Sequence, residues 1–203
     1  MPRRRSHALQ IELRERLAQE SARLMIEHGI VDYGLAKRKA AERLSVSTLG
    51  ALPSNAQIEA CVAERQRIFD GDSHADRLWE LRNLALRIMR QLESFEPRLA
   101  GPVLSGTATG ASRVELHLFA ASVEDVCLVL ERHGYRLSHC AARYRYGGGR
   151  LTQVPAYRFR TEGATVLTPV FPENGIREAP LSSIDRRPMA RASLNEIETL
   201  LGR

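Results

Sequence analysis

The sequence predicts an α+β fold, with a helical subdomain over residues 1–96 packed on a mixed, mainly antiparallel sheet with helices over 97–203. Three observations carry the prediction. Four stretches before residue 96 place apolar side chains at helical spacing, and Pro97 stops the last of them. From Val103 the period changes to two, most clearly where Val114, Leu116 and Leu118 alternate with Glu115 and His117. The elements after 103 then read strand, strand, helix and three strands, an order in which antiparallel neighbours dominate.

In the first helix, Ala8 to His28, Leu9, Leu13, Leu17, Leu24 and Met25 are spaced between charged residues and the pattern stops at Gly29. Asp32 caps a second helix from about Gly34 to Leu44, with Leu35, Ala36, Ala40 and Ala41 on one side and Lys37, Arg38, Lys39 and Arg43 largely on the other. The words Ala40 to Ser47 resemble the first helix and turn of a helix-turn-helix module, which needs a recognition helix immediately afterwards. Thr48 to Pro53 reads instead as a loop, so the helical front is expected to be a cap, with a DNA-binding or protein-interaction module as the alternative. Ser54 with Gln57 opens a third helix ending at Asp70-Gly71. Ser73 with Asp76 opens the fourth and longest, striped by Leu78, Leu81, Ala85, Ile88, Met89 and Leu92.

Val103 and Leu104 read as a strand running into the small-residue loop Ser105-Gly106-Thr107, and Val114 to Leu118 as its neighbour. Ser122 caps the next helix, which ends at His133-Gly134. A hairpin follows, with alternating Ala141 to Tyr146, a turn at Gly147-Gly148-Gly149 and a return from Leu151 to Arg160. Its alternation is expected to put Arg143, Arg145, Arg158 and Arg160 on one face, able to contact phosphate or RNA, and Tyr144, Tyr146, Tyr157 and Phe159 on the other. An ordinary solvated outer face is the alternative. Ala164 to Phe171 is a further strand, Pro172 to Pro188 a loop, and Ser193 with Glu196 a capping box for a short last helix.

Composition narrows the classes. The chain is 43% hydrophobic and 27% charged, without any run long enough to span a membrane or any apolar signal core, so a cytoplasmic protein is expected. Cys61, Cys127 and Cys140 have neither metal-site nor disulfide-frame spacing and are read as reduced and mostly buried. The net charge of +6 comes almost wholly from arginine, Lys37 and Lys39 being the only lysines. GC-rich coding produces that bias, so only clustering of the charge points to a polyanion.

Val103 to Phe119 resembles the signature of the nucleotidyltransferase fold, in which a strand ending in Gly-Gly or Gly-Ser precedes a second strand bearing two acids one residue apart. The resemblance covers residues 103–171 and implies that Ser105, Gly106 and Thr107 hold a nucleotide's phosphates, since a bare Cα lets them approach. It implies that Glu115 is a metal ligand and that Glu115 and His117 occupy the catalytic positions, with Mg²⁺ as the cofactor of an active enzyme. His117 stands where the second carboxylate belongs and is a poor ligand for a hard cation; the strand Thr165 to Phe171, where the family's third acid belongs, has none. The chain also resembles bacterial proteins labelled nucleotidyltransferases, some bearing the label of a muramate-alanine ligase. That ligase needs a Gly-Lys-Ser or Gly-Lys-Thr phosphate loop, which this sequence lacks.

Three functions follow: a catalytically degenerate nucleotidyltransferase-like protein binding a nucleotide or RNA, an active Mg²⁺-dependent enzyme, and a module whose helical front meets a protein partner. The first is favoured, because the acids are missing. His117 reads as a hydrogen-bonded structural residue or as an acid or base.

Overall fold

A computed structural model describes residues 2–47, 52–69 and 71–202, with side chains for 7, 9–47, 52–68 and 71–202. Thr48 to Ala51, most of the loop read in place of a recognition helix, and Asp70 lie outside the described residues. The architecture is α+β, with helices preceding a six-stranded mixed sheet. Two compact units divide the chain: 1–74 with 109–112 and 183–185, and 75–108 with 113–182 and 186–203.

The first unit is built on α1 (Pro2–Glu27), which begins before the apolar spacing predicts and ends where Gly29 turns left-handed at φ +65°. Its apolar stripe serves two neighbours. Ala18, Ala22 and Met25 pack with Ala36 of α2 (Tyr33–Arg43) and with Ile58 and Val62 of α3 (Asn55–Phe69). Leu17 and Leu24 pack with Ala40 and Ala41 of α2, alanines that let the helix backbones come close. The predicted starts are present: Asp32 accepts from the Leu35 amide at 2.6 Å, and Ser54 and Gln57 exchange side chain to backbone bonds at 3.1 and 2.9 Å.

α4 (Gly71–Gln91) departs from expectation in three ways, the first being that its 21 residues make it shorter than the 26-residue α1, whose start lies ahead of the apolar spacing. It starts at Gly71, so Ser73 and Asp76 lie inside the helix and do not cap it. From Ala75 on it belongs to the second unit, because Leu81, Leu84, Ala85, Leu86, Ile88 and Met89 are buried in one cluster with Leu116, Leu118 and Val166 of the sheet. The units therefore divide near residue 75 where the sequence suggested 96, a helix stripe going with the core it fills whatever its place in the chain.

The sheet contains β1 (Arg98–Ala100), β2 (Val114–Phe119), β3 (Ser138–Arg145), β4 (Leu151–Thr161), β5 (Ala164–Phe171) and β6 (Arg191–Ala192), in the order β3-β4-β5-β2-β1-β6. Every neighbouring pair is antiparallel except β2 with β5. Val103 and Leu104 are not in a strand. Gly101, at φ +72° and ψ −159°, ends β1 and Pro102 opens the single helical turn α5 (Pro102–Ser105), a position where its missing N–H costs nothing. One sheet face carries Leu116, Leu118, Tyr157, Phe159 and Val166 against α4, α6 (Val123–Arg132) and α7 (Leu194–Leu200), the last opened by the Ser193 and Glu196 capping box. The other face carries Glu115 and His117. No helix among the described residues is long and apolar enough to cross a membrane, and Cys61, Cys127 and Cys140 are unpaired and half-buried.

Candidate functional site

Strand pairing lays out the second face of the sheet in rows. One row runs Ser138, Arg158, Leu167, Glu115, Ala100, Arg191 across all six strands, and the next holds Cys140, Ala156, Pro169, His117 and Arg98. Two polar residues of β2 thus sit in the middle of the sheet, where Glu115 is 8% exposed and His117 is fully buried.

Their burial is matched by hydrogen bonds. Arg191 Nε donates to His117 Nδ1 at 3.0 Å, and an arginine can only donate, so Nδ1 is unprotonated and the imidazole proton lies on Nε2. Nε2 donates in turn to Glu115 Oε1 at 2.9 Å, and the Tyr144 hydroxyl donates to the same oxygen at 2.7 Å. Arg191 Nη1 reaches the Gly175 carbonyl at 3.1 Å, while Nη2 is buried without a partner among the described residues. Phe171 flanks His117 with ring centroids 4.8 Å apart, and the Arg191 guanidinium lies 5.0 and 5.2 Å from the centroids of Phe171 and Phe119. The arrangement is a relay of four side chains, Arg191 to His117 to Glu115 and Tyr144 to Glu115.

Charge states follow from these surroundings. Burial depresses the His117 pKa, and the neighbouring Arg191 pushes the same way, outweighing the Glu115 carboxylate. For Glu115 burial alone would raise the pKa; the bonds from His117 and Tyr144 and the Arg113 charge outweigh it and leave the carboxyl below its ordinary range. Burial, with the Glu115 charge beside it, raises the Tyr144 hydroxyl, and burial lowers Arg191, which stays charged. The neutral imidazole therefore separates a guanidinium from a carboxylate.

Only Oε2 of Glu115 remains open. It faces Gly101, where an added Cβ would lie 3.7 Å away, and Arg113 Nη2 stands 3.9 Å off. Magnesium prefers several oxygen ligands in octahedral array. Among the described residues no group of three or more His, Cys, Asp or Glu side chains could hold a metal ion, and the residues two before and two after Glu115 are an arginine and a histidine. These residues do not fit Mg²⁺, and Glu115 and His117 serve the internal network.

The loop expected to hold phosphate is differently built. The amides of Ser105, Gly106 and Thr107 all donate inside the α5 turn, to Gly101 O, Pro102 O and Pro102 O, and the Ser105 and Thr107 hydroxyls bond each other at 2.9 Å. Arg82 locks the turn from α4 through 3.0 Å bonds to the carbonyls of Val103 and Leu104. Gly106 is the left-handed C-cap of that turn, and the glycine placed against Glu115 is Gly101.

The hairpin arginines do not share a face. Ser138 stands opposite Arg158 and Arg145 opposite Leu151, so even residues pair with even and odd with odd. Tyr144 and Tyr146 therefore share the Glu115 face with Arg158 and Arg160, while Arg143 and Arg145 share the other with Tyr157 and Phe159. Alternation within each strand was legible, but the register between them decides which arginines meet.

Sequence reasoning left out Tyr144 as a partner of Glu115, Gly101, Arg113 and the role of Arg191. A signal existed for Arg113, two residues before Glu115 and so on its face; none existed for Arg191, 74 residues from His117. Compared with protein-family models, curated proteins and solved structures, the chain matches none.

Proposed function

We propose that this chain is a nucleotidyltransferase-like protein without metal-dependent catalysis, which binds a nucleotide or RNA through its phosphates. The observation that carries the reading is the state of Glu115: one oxygen accepts from both His117 and Tyr144, and the other has a guanidinium 3.9 Å away where an active enzyme needs a second acid. Two further features support it. A glycine in a conformation open to glycine alone ends β1 opposite the acid, and β2 lies between an antiparallel β1 and a parallel β5, an arrangement that brings a loop, a short helix and an acidic strand together. Cations on the Glu115 face suit phosphate better than they suit Mg²⁺. The same reading is of a cytoplasmic protein, with which three unpaired cysteines agree.

The test is calorimetric titration of the full chain with ATP, GTP and a short oligoribonucleotide, in Mg²⁺ and in EDTA. Binding of at least one of them in EDTA, with no release of pyrophosphate when Mg²⁺ is restored, is expected. Pyrophosphate release that depends on Glu115 would overturn the assignment in favour of an active enzyme.

A further inference from the structure

Arg113, Arg158 and Arg160 stand on one face of the sheet around Thr165. Arg160 pairs with Thr165 and Arg158 with Leu167, whose other neighbour is Glu115, and Arg113 precedes β2 on the Glu115 side. Two residues along a strand are about 7 Å apart, and two strands across roughly 10 Å. Three long side chains set at those intervals can meet over the small side chain of Thr165.

All three are exposed, the side chains of Arg158 and Arg160 make no hydrogen bond or ion pair with any described residue, and that of Arg113 has only its 3.9 Å approach to Glu115. Neighbouring arginines are committed: Arg98 to the carbonyls of Glu96 and Pro97 and the Glu96 carboxylate, Arg87 to Glu162, Arg150 to Glu178, and Arg191 to His117 and Gly175. Arg143 and Arg145 are also unpaired but belong to the opposite face. The acid beside Arg113, Glu115, is 8% exposed and already accepts two hydrogen bonds on Oε1. Register thus sets three guanidinium forks on one face around a hydroxyl, and among the described residues their one carboxylate contact is the nearly buried Glu115, so the surface is rich in donors and complementary to phosphate.

We infer that Arg113, Arg158 and Arg160, with the Thr165 hydroxyl, form a phosphate clamp that works without a divalent ion. The inference deepens the proposed function, on which the nucleotide identity of the ligand rests; it moves the phosphates from the Ser105 to Thr107 turn, whose amides are occupied, to the edge of the Glu115 face. The clamp supplies the positive charge that Mg²⁺ supplies in a metal-dependent site.

The experiment measures binding of inorganic triphosphate, ATP and a short oligouridylate to the full chain in EDTA. It compares wild type with R113Q, the double variant R158Q/R160Q and the double variant R143Q/R145Q, which removes the same charge from the other face. The substituted side chains are exposed except Arg145, which is half-buried, and circular dichroism checks the fold of each variant. The clamp predicts that R158Q/R160Q weakens inorganic triphosphate at least tenfold and R113Q severalfold, while R143Q/R145Q changes it less than twofold. Equal weakening by the two double variants makes the binding bulk charge and overturns the clamp, as does no binding of any probe. Binding of ATP or oligouridylate that survives R158Q/R160Q preserves the proposed function and sinks the clamp. Binding of inorganic triphosphate alone through these arginines preserves the clamp and sinks the nucleotide or RNA reading.

Discussion

Tyr144 and His117 do for Glu115 what water would do at the surface, and single substitutions should report on each bond. Tyr144→Phe leaves packing intact and removes one donor from a buried carboxylate, which should cost about 1–3 kcal/mol in urea unfolding. An unchanged midpoint would mean that the hydroxyl bond is worth nothing in place. The pH dependence has a definite sign. In the folded state the His117 pKa lies below its ordinary 6.5, so at low pH the unfolded chain binds the extra proton. The contribution of His117 is full above about pH 6.5 and is lost as pH falls toward the lower folded value. Glu115 shares the sign: its contribution is full above the ordinary 4.5 and drops as pH falls through its depressed folded value. Urea midpoints of wild type and His117→Asn, measured from pH 7.5 to 5, should converge as pH falls; parallel curves across that interval would show that His117 does not titrate with unfolding. At Gly101, a φ of +72° with ψ of −159° is a region closed to side chains, and Gly101→Ala should lose about 1–3 kcal/mol. A thermal melt equal to that of wild type would contradict the strain.

Among the elements, the α5 turn is the least self-sufficient. One helical turn cannot hold itself, and Arg82 supplies the missing hold by donating to the carbonyls of Val103 and Leu104, two of the acceptors a helix end leaves unpaired. Arg82→Ala should therefore speed amide hydrogen exchange at 104–107 by tenfold or more, leaving the amides of β2 protected. Equal exchange in the two proteins would mean that the turn is held by Gly101 and Pro102 alone. In the hairpin, each strand alternates as its sequence says, yet the shared parity of the pairing gives each face two arginines and two rings. Tyr144 thereby lands beside Glu115 and not in the helix-covered core.

For the molecule as a whole, the assignment of α4 decides what can fold. Leu84, Leu86, Ile88 and Met89 fill the same core as Leu116 and Leu118, and truncating one such side chain to alanine typically costs 2–5 kcal/mol. Losing the whole stripe removes several of them at once. A fragment of residues 75–203 should unfold cooperatively, and one of residues 97–203, cut at the boundary the sequence suggested, should not. Cooperative unfolding of the shorter fragment would show that α4 is dispensable to the sheet.

The features legible in the chain alone are local. Asp32, Ser54 with Gln57, Ser122 and Ser193 with Glu196 start their helices because a cap needs only residues within one turn, and Gly29 ends α1 because only its own backbone must turn left-handed. Alternation likewise marked β2, β3 and β4, and these suffice for an α+β fold. Ser73 is the instructive exception: a good capping pair stands there, but the helix begins two residues earlier. Tertiary structure alone decided the hairpin register, the union of Arg191 with His117 across 74 residues, and the choice of Gly101 over Gly106 beside Glu115. Those outcomes depend on which distant segments pair and where the chain enters a strand, and the free energy of such pairings belongs to contacts that no short stretch contains.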